Sequence, residues 1–220
     1  MSEQTGVIVH GGELIEAPFQ VENFHTLDIP KFKVRGKIKK HRWLVQHENA
    51  GSINRETLYR WLQKKGYGYH FVIDPHGFIT QHADTWDKIA HGGRCNKFSL
   101  GICLLNPYYP RLVDTPKEKA LFEIIPAQWW THCNPKSDRR YSRPTEAQIF
   151  TLRKLSQFLC RILDIPWAFP TKDFGPGKQR KIKNWRLPGI KPKEDGLIAH
   201  RDYSSHADGR YALERLLIDT

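Results

Sequence analysis

Two histidines and one aspartate have the residue types and the placement that a metal site needs. His47 follows the apolar run "WLVQ" and His200 follows the apolar run "GLIA", so each histidine comes at the end of a predicted strand. Asp208 comes shortly after His200, in the stretch "GLIAHRDYSSHADGR". A catalytic zinc site uses three nitrogen, oxygen or sulfur ligands and keeps one position open for water. These three residues would supply that set, whereas a polar turn after a strand is the alternative for each one alone.

A further histidine, His206, lies between His200 and Asp208 and could face the same cavity. Zinc in such a site lowers the pKa of a water molecule and polarises a scissile carbonyl. A histidine beside the metal can stabilise an oxyanion or donate a proton. The four residues together therefore predict metal-assisted hydrolysis at a carbonyl group.

Short strands and amphipathic helices must bring these residues together. Three apolar runs predict buried strands: "RWLVQH" (42–47), "SLGICLL" (99–105) and "GLIAH" (196–200). The runs "YHFVID" and "FITQHA" flank Asp74-Pro75-His76-Gly77, a sequence typical of a type I turn, and so predict a hairpin.

Three segments with helical periodicity complete the predicted elements. The segment "RETLYRWLQKKG" (55–66) ends in basic residues and a glycine, as helices commonly do. In "PTEAQIFTLRKLSQFLCRILDI", Thr145 and Gln148 form a capping box. A last helix is predicted over "GRYALERLL". The order of strands and helices predicts an α/β fold with a central mixed β-sheet flanked by helices.

The chain divides into two predicted parts. Residues 1–41 have no sustained period and are interpreted as an N-terminal extension, and residues 42–220 form the predicted catalytic domain. Two irregular insertions rich in aromatic and basic residues occupy 106–143 and 167–195. They could form the walls of a glycan-peptide groove, or they could be loops that pack on the core by their aromatic side chains.

Composition limits the class of protein and of partner. The chain has 220 residues, of which 39% are hydrophobic, and a net charge of +12. No run approaches 18 apolar residues, so no integral membrane segment is predicted. The charge indicates a polyanionic partner, namely nucleic acid, an acidic membrane surface or an acidic cell-wall polymer, with a basic but inert surface as the alternative. Reduced thiols are expected for the four cysteines, Cys95, Cys103, Cys133 and Cys160.

Five segments, in order along the chain, resemble the zinc-dependent N-acetylmuramoyl-L-alanine amidases, the family that includes T7 lysozyme, AmpD-like amidases and the peptidoglycan recognition proteins. The segments are "WLVQHENAGS", "GYGYHFVIDPHGFITQ", "AHGGRCNKFSLGICLL", "PTEAQIFTLRKL" and "IAHRDYSSHAD". Each motif is modest alone, but the ordered set covers residues 42–105 and 144–210.

The resemblance implies zinc as cofactor and assigns a role to individual residues. Tyr69 matches a tyrosine near the metal, with an aromatic packing on the core as the alternative. The implied set comprises the zinc ligands His47, His200 and Asp208, the catalytic residues Tyr69 and His206, and the substrate-binding residues His91, Arg94 and Asn96.

Two positions depart from the T7-like pattern. His206 stands where those members carry a catalytic lysine, and histidine has a lower pKa. Asp208 stands where they use cysteine. AmpD-like members use aspartate, but at a longer spacing from the second histidine. The sequence therefore combines features of the two branches.

The resemblance implies a peptidoglycan amidase that cleaves the bond between N-acetylmuramic acid and L-alanine. A non-catalytic module that binds peptidoglycan or muropeptides is the alternative, and a nucleic-acid-binding protein is disfavoured because no recognised motif for one appears. The first 20 residues lack a basic region and a long apolar run, so no ordinary secretory signal is expected. We expect synthesis in the cytoplasm, then action on the cell wall in the periplasm or envelope through a delivery or secretion apparatus, or action on cytoplasmic muropeptides.

Overall fold

The computed structural model describes residues 5–25, 29–49, 51, 53–107, 109–110, 116–126, 140–169, 194–202 and 208–218. The strands are β1 (Gly6–His10), β2 (Glu13–Ala17), β3 (Val21–Asn23), β4 (Trp43–Glu48), β5 (Phe71–Ile73), β6 (Ile79–Gln81), β7 (Ser99–Leu104), β8 (Ile124–Pro126), β9 (Arg140–Ser142) and β10 (Gly196–Ala199). The helices are α1 (Arg55–Lys65), α2 (Pro116–Leu121), α3 (Glu146–Leu163) and α4 (Arg210–Ile218).

A six-stranded mixed sheet forms the centre of the molecule, in the order β10-β4-β7-β5-β6-β3. The strands β10, β4, β7 and β5 run parallel to one another, β6 runs antiparallel to β5, and β3 runs parallel to β6. Every residue of β4, β7 and β10 is buried, as expected for parallel strands that are covered on both faces. The structure confirms the predicted α/β fold class.

The two faces of the sheet are covered by different helices. On one face, Leu44, Ile102 and Leu197 belong to the same hydrophobic cluster as buried residues of α3 and α4. On the other face, Val72 and Cys103 pack with residues of α1. Because side chains alternate along a strand, His47 points to the α1 face and its neighbours on β4 point to the face that α3 and α4 cover.

The predicted helix signals are found where the sequence placed them. Gly66 ends α1 in the left-handed conformation, and the Asn54 side chain, a cap that the sequence analysis did not single out, accepts a hydrogen bond from the Thr57 amide at the start of that helix. Thr145 and Gln148 make both hydrogen bonds of the capping box at the start of α3. The predicted turn is also present, with the Gly77 amide donating to the Asp74 carbonyl oxygen at 2.9 Å.

The N-terminal residues contribute to the sheet and to its core. The strands β1 and β2 pair as a hairpin, and β3 pairs with β6 at the edge of the central sheet. Ile8, Ala17 and Phe19 are buried in the same cluster as the residues under α3. Sequence periodicity missed these strands because each is only three to five residues long, and β3 also pairs with a strand that is distant in the sequence. The boundary between an extension and a domain at residue 41 stays a prediction.

The two predicted insertions differ in how much of them the structure describes. The first, 106–143, was predicted as irregular, but its described part holds α2 and the antiparallel pair of β8 and β9. Most of the second lies outside the described residues. Cys95, Cys103 and Cys160 are buried, and none of them forms a disulfide with another described residue, whereas Cys133 falls outside the described part of the chain. Among the described helices, none has the length and apolar character that a membrane span requires.

Candidate metal site

The parallel pairing of β4 and β10 brings His47 and His200 together. Ala199, the last residue of β10, lies opposite Gln46 of β4, so the residue that follows each of them in the chain is a histidine at the same edge of the sheet. Their ring centroids are 4.6 Å apart. His47 is fully buried, and the His200 side chain is 16% exposed, so the pair opens to solvent on the His200 side.

Asp208 completes a three-residue group that could hold a metal ion. Its carboxylate oxygens lie 3.2 Å from Nδ1 of His47 and 2.8 Å from Nδ1 of His200. One ligand atom from each of the three residues lies within 4.8 Å of the other two. The structure thus assembles the three residues that the sequence singled out as ligands.

The chemistry of this donor set fits a divalent cation. Burial alone would raise the pKa of the Asp208 carboxyl, but the charges and hydrogen bonds of His200 and His47 outweigh it and hold the pKa well below its ordinary value. The carboxylate is therefore ionised and can only accept hydrogen bonds or bind a cation. The lone pair of a neutral imidazole repels a carboxylate oxygen at 3 Å unless a proton or a cation lies between them. Two imidazole nitrogens and one carboxylate oxygen are a common ligand set for catalytic zinc.

The start of helix α4 places Asp208. Gly209 has φ +80°, and a Cβ atom there would overlap the carbonyl oxygen of Gln46, so only glycine lets the chain approach β4 so closely. Arg210, the first residue of the helix, bonds Asp202, whose other oxygen accepts from the Ala199 amide at 2.8 Å. The third ligand is therefore held against the strands that carry the other two.

A buried polar network lies on the opposite face of β4, behind the site. The Glu48 carboxylate accepts hydrogen bonds from the Tyr141 hydroxyl, from the Asn106 amide group at 2.9 Å and from the Ala212 backbone amide in the first turn of α4. Burial raises the pKa of Glu48 to about 7. This network ties β4, α4 and the insertion strand β9 to one another. Sequence reasoning missed it, although a carboxylate shortly after the apolar run Trp43–Val45 was a usable signal.

His91 lies against His47 on the side away from Asp208. Its Nδ1 is 3.1 Å from Nε2 of His47, and its Nε2 is 3.2 Å from the carbonyl oxygen of Ser99. Burial, together with His47 and His70 nearby, lowers the pKa of His91 well below the ordinary histidine value. The ring passes over Gly101, where a Cβ atom would lie 2.7 Å from Cγ of His91.

Tyr69 is partly buried beside the same group. Its ring centroid is 4.9 Å from that of His47, and the residue packs against the cluster formed by α1 and the sheet. Its hydroxyl also hydrogen-bonds the buried Cys103 thiol, whose pKa burial raises well above the ordinary value. The structure thus places Tyr69 beside the three candidate ligands, whereas His206 lies outside the described residues.

Arg94 and Asn96 lie on the short 3-10 turn Gly93–Lys97 that follows His91. Oδ1 of Asn96 accepts from the backbone amides of His91 and Gly92, at 3.2 and 2.6 Å. Both residues line a cavity of about 420 Å³ together with Arg35, Lys88, Gly93 and Lys97. No carboxylate pairs with its four cationic side chains among the residues that the structure describes, so the cavity attracts anions.

Comparisons with known proteins identify a family and similar folds. A family model described as N-acetylmuramoyl-L-alanine amidase matches residues 37–208. No curated protein matches the sequence. Among solved structures, the chain is similar to the endolysin N-acetylmuramoyl-L-alanine amidase LysCS from Clostridium intestinale URNW, with a TM-score of 0.54, 11% identity, and 91% of this chain and 96% of that one covered. The amidase LysC from the same organism gives a TM-score of 0.51 and 12% identity over 91% of this chain and 98% of that one. At these identities the likeness shows the shared fold.

Proposed function

The chain belongs to the N-acetylmuramoyl-L-alanine amidase family, and from that premise we propose that it is a zinc-dependent hydrolase acting on peptidoglycan or muropeptides. The bond cleaved is the amide between N-acetylmuramic acid and L-alanine. The observation that carries the proposal is the convergence of His47, His200 and Asp208, whose ligand atoms lie within 4.8 Å of one another. Three protein ligands leave a coordination position for substrate chemistry, as catalytic zinc sites require.

Zinc held by these residues would act as a Lewis acid toward the scissile carbonyl and would lower the pKa of water. The protein's part is to orient the ligands, to bind substrate and to handle charge at the carbonyl oxygen. The Tyr69 hydroxyl is a donor beside His47 and is proposed to stabilise the developing oxyanion. His206 is proposed as the group that moves the proton to the leaving amine.

Substrate binding is proposed for the loop that carries His91, Arg94 and Asn96. The support is the cavity of about 420 Å³ that Arg94 and Asn96 line with three further cationic side chains. Arg and Lys side chains form charge-assisted hydrogen bonds with carboxylates, and stem peptides carry carboxylates. We propose action on the wall in the periplasm or envelope through a delivery or secretion apparatus, or action on cytoplasmic muropeptides.

Replacement of one proposed ligand tests the function. In His200→Ala, we expect zinc binding to weaken strongly and hydrolysis of purified sacculi to fall below detection, because a bound zinc ion loses one of three protein ligands. Mass spectrometry of the digest should find free N-terminal L-alanine with the wild type. His76→Ala is the control, since His76 is an exposed histidine on the β5–β6 turn. Full zinc content and full activity in His200→Ala would refute the ligand assignment. If the wild type bound sacculi but released no N-terminal L-alanine, the protein would be a binding module and not an amidase.

A further inference from the structure

We propose that His91 is a positioning residue for the metal site: it accepts a hydrogen bond from Nε2–H of His47 and thereby keeps Nδ1 of His47 directed at Asp208 and His200. This inference rests on the proposed zinc site and gives His91 a different role from substrate contact. The nitrogen-to-nitrogen distance of 3.1 Å is that of a hydrogen bond.

The surroundings of His91 decide which of its nitrogens carries the hydrogen. Nε2 lies 3.2 Å from the carbonyl oxygen of Ser99, which can only accept. Nε2 is also 3.3 Å from the Ser99 hydroxyl, but that hydroxyl donates to the Cys95 carbonyl oxygen at 2.8 Å and so presents an acceptor as well. Nε2 of His91 is therefore the protonated nitrogen, and in neutral His91 the free lone pair is on Nδ1.

That lone pair faces Nε2 of His47, so the hydrogen between the two rings belongs to His47. With Nε2 of His47 protonated, its Nδ1 is left for a cation, and Nδ1 is the atom that lies 3.2 Å from the Asp208 carboxylate. Metal-binding histidines commonly have their second nitrogen fixed by an outer hydrogen bond in this way. The chain Ser99–His91–His47 would thus set both the tautomer and the ring orientation of the first ligand.

Two features hold the His91 ring in place and indicate that the fold fixes its orientation. Gly101 leaves room above β7, because a Cβ atom there would come within 2.7 Å of the ring. Asn96 accepts hydrogen bonds from the His91 and Gly92 amides, which fixes the backbone on which the ring is mounted. An imidazole that served mainly to contact substrate would have no need of bonds from both nitrogens to the protein.

Two substitutions separate positioning from simple removal of a ring. His91→Gln keeps an acceptor for His47 and a donor for Ser99, whereas His91→Leu keeps neither. We expect the zinc dissociation constant, measured by chelator competition, to rise about 10- to 100-fold in His91→Leu and to stay within a few-fold of wild type in His91→Gln. His41→Phe is the matched control, because His41 is another buried histidine that bonds a backbone carbonyl, that of Thr85, and contacts Trp86.

A second measurement on the wild type keeps the inference testable even if a variant fails to fold. Long-range proton–nitrogen NMR correlations of the histidine rings should show Nε2 of His47 protonated and Nδ1 unprotonated in the zinc-bound protein. An unprotonated Nε2 would overturn the inference. So would unchanged zinc affinity in His91→Leu with a raised KM, which is the result expected of a substrate contact. Absence of zinc binding in the wild type would refute the proposed function and the inference with it, whereas an unprotonated Nε2 of His47 in a protein that binds zinc would refute the inference alone.

Discussion

At the scale of single residues, Tyr69 has the most specific role that remains to be measured. Its ring packs against His47 and the α1 cluster, while its hydroxyl is the group proposed to meet the oxyanion. In Tyr69→Phe we expect kcat to fall about 100-fold or more with little change in KM or in zinc affinity, because the packing is kept and one donor is lost. Steady-state kinetics on a soluble muropeptide, with zinc titration in parallel, would measure this.

Tyr67→Phe is the companion variant, since Tyr67 is an exposed tyrosine two positions earlier and 51% accessible. A Tyr69→Phe enzyme with wild-type kcat would leave Tyr69 as a packing residue, which is the alternative that its sequence position already allowed.

At the scale of elements, the junction between Asp208 and helix α4 controls the third ligand. Gly209→Ala would add a Cβ atom that overlaps the Gln46 carbonyl oxygen, at a backbone φ of +80°. We expect the start of α4 to shift, the zinc affinity to fall at least 10-fold, and the free energy of unfolding to drop by about 1–3 kcal/mol. Chelator competition and urea unfolding would report the two effects separately.

Gly12→Ala provides the control for backbone strain alone. Gly12 has φ +89° in the β1–β2 turn, but a Cβ atom there would meet nothing within 4 Å. We expect a loss of about 1–2 kcal/mol of stability from the left-handed backbone and no change in zinc affinity. Equal zinc affinities in both variants would show that the close approach of Gly209 to β4 does not position Asp208.

At the scale of the whole molecule, buried histidines make the fold sensitive to acid. Burial lowers the pKa of His70 to about 4 and that of His82 to about 4, from about 6.5 in an unfolded chain. In this window the unfolded chain binds protons that the folded chain excludes, so stability is present above about pH 6.5 and is lost as the pH falls toward 4. Burial raises the pKa of Glu48 to about 7, which acts in the opposite direction and partly offsets the loss.

The contribution of one histidine can be isolated by its pH slope. Between pH 7 and pH 5, His82 should account for a loss of about 2 kcal/mol in the free energy of unfolding. We therefore expect the free energy of unfolding of His82→Phe to fall by about 2 kcal/mol less than that of the wild type between pH 7 and pH 5, whatever the stability of the variant at pH 7. Urea unfolding of the metal-free proteins at both pH values measures the difference. Parallel pH curves for the two proteins would contradict a neutral His82 in the folded state.

The sequence by itself was sufficient for the features that depend on local patterns. The buried runs, the capping box at Thr145 and Gln148, and the turn at Asp74–Gly77 are short-range signals, and the α/β class follows from their order. The candidate ligands were also predictable, because His47 and His200 each follow a predicted strand, and Asp208 follows His200 closely in a segment that resembles the family.

Only the tertiary structure decided the contacts between residues far apart in the chain. Three such contacts join residues 44 or more positions apart: the pairing of β3 with β6, the hydrogen bond of Tyr141 to Glu48, and the contact of His91 with His47. No local period encodes such contacts, since they depend on how the sheet and the insertion pack. The sequence therefore indicated which residues could hold a metal, and the fold determined which neighbours orient them.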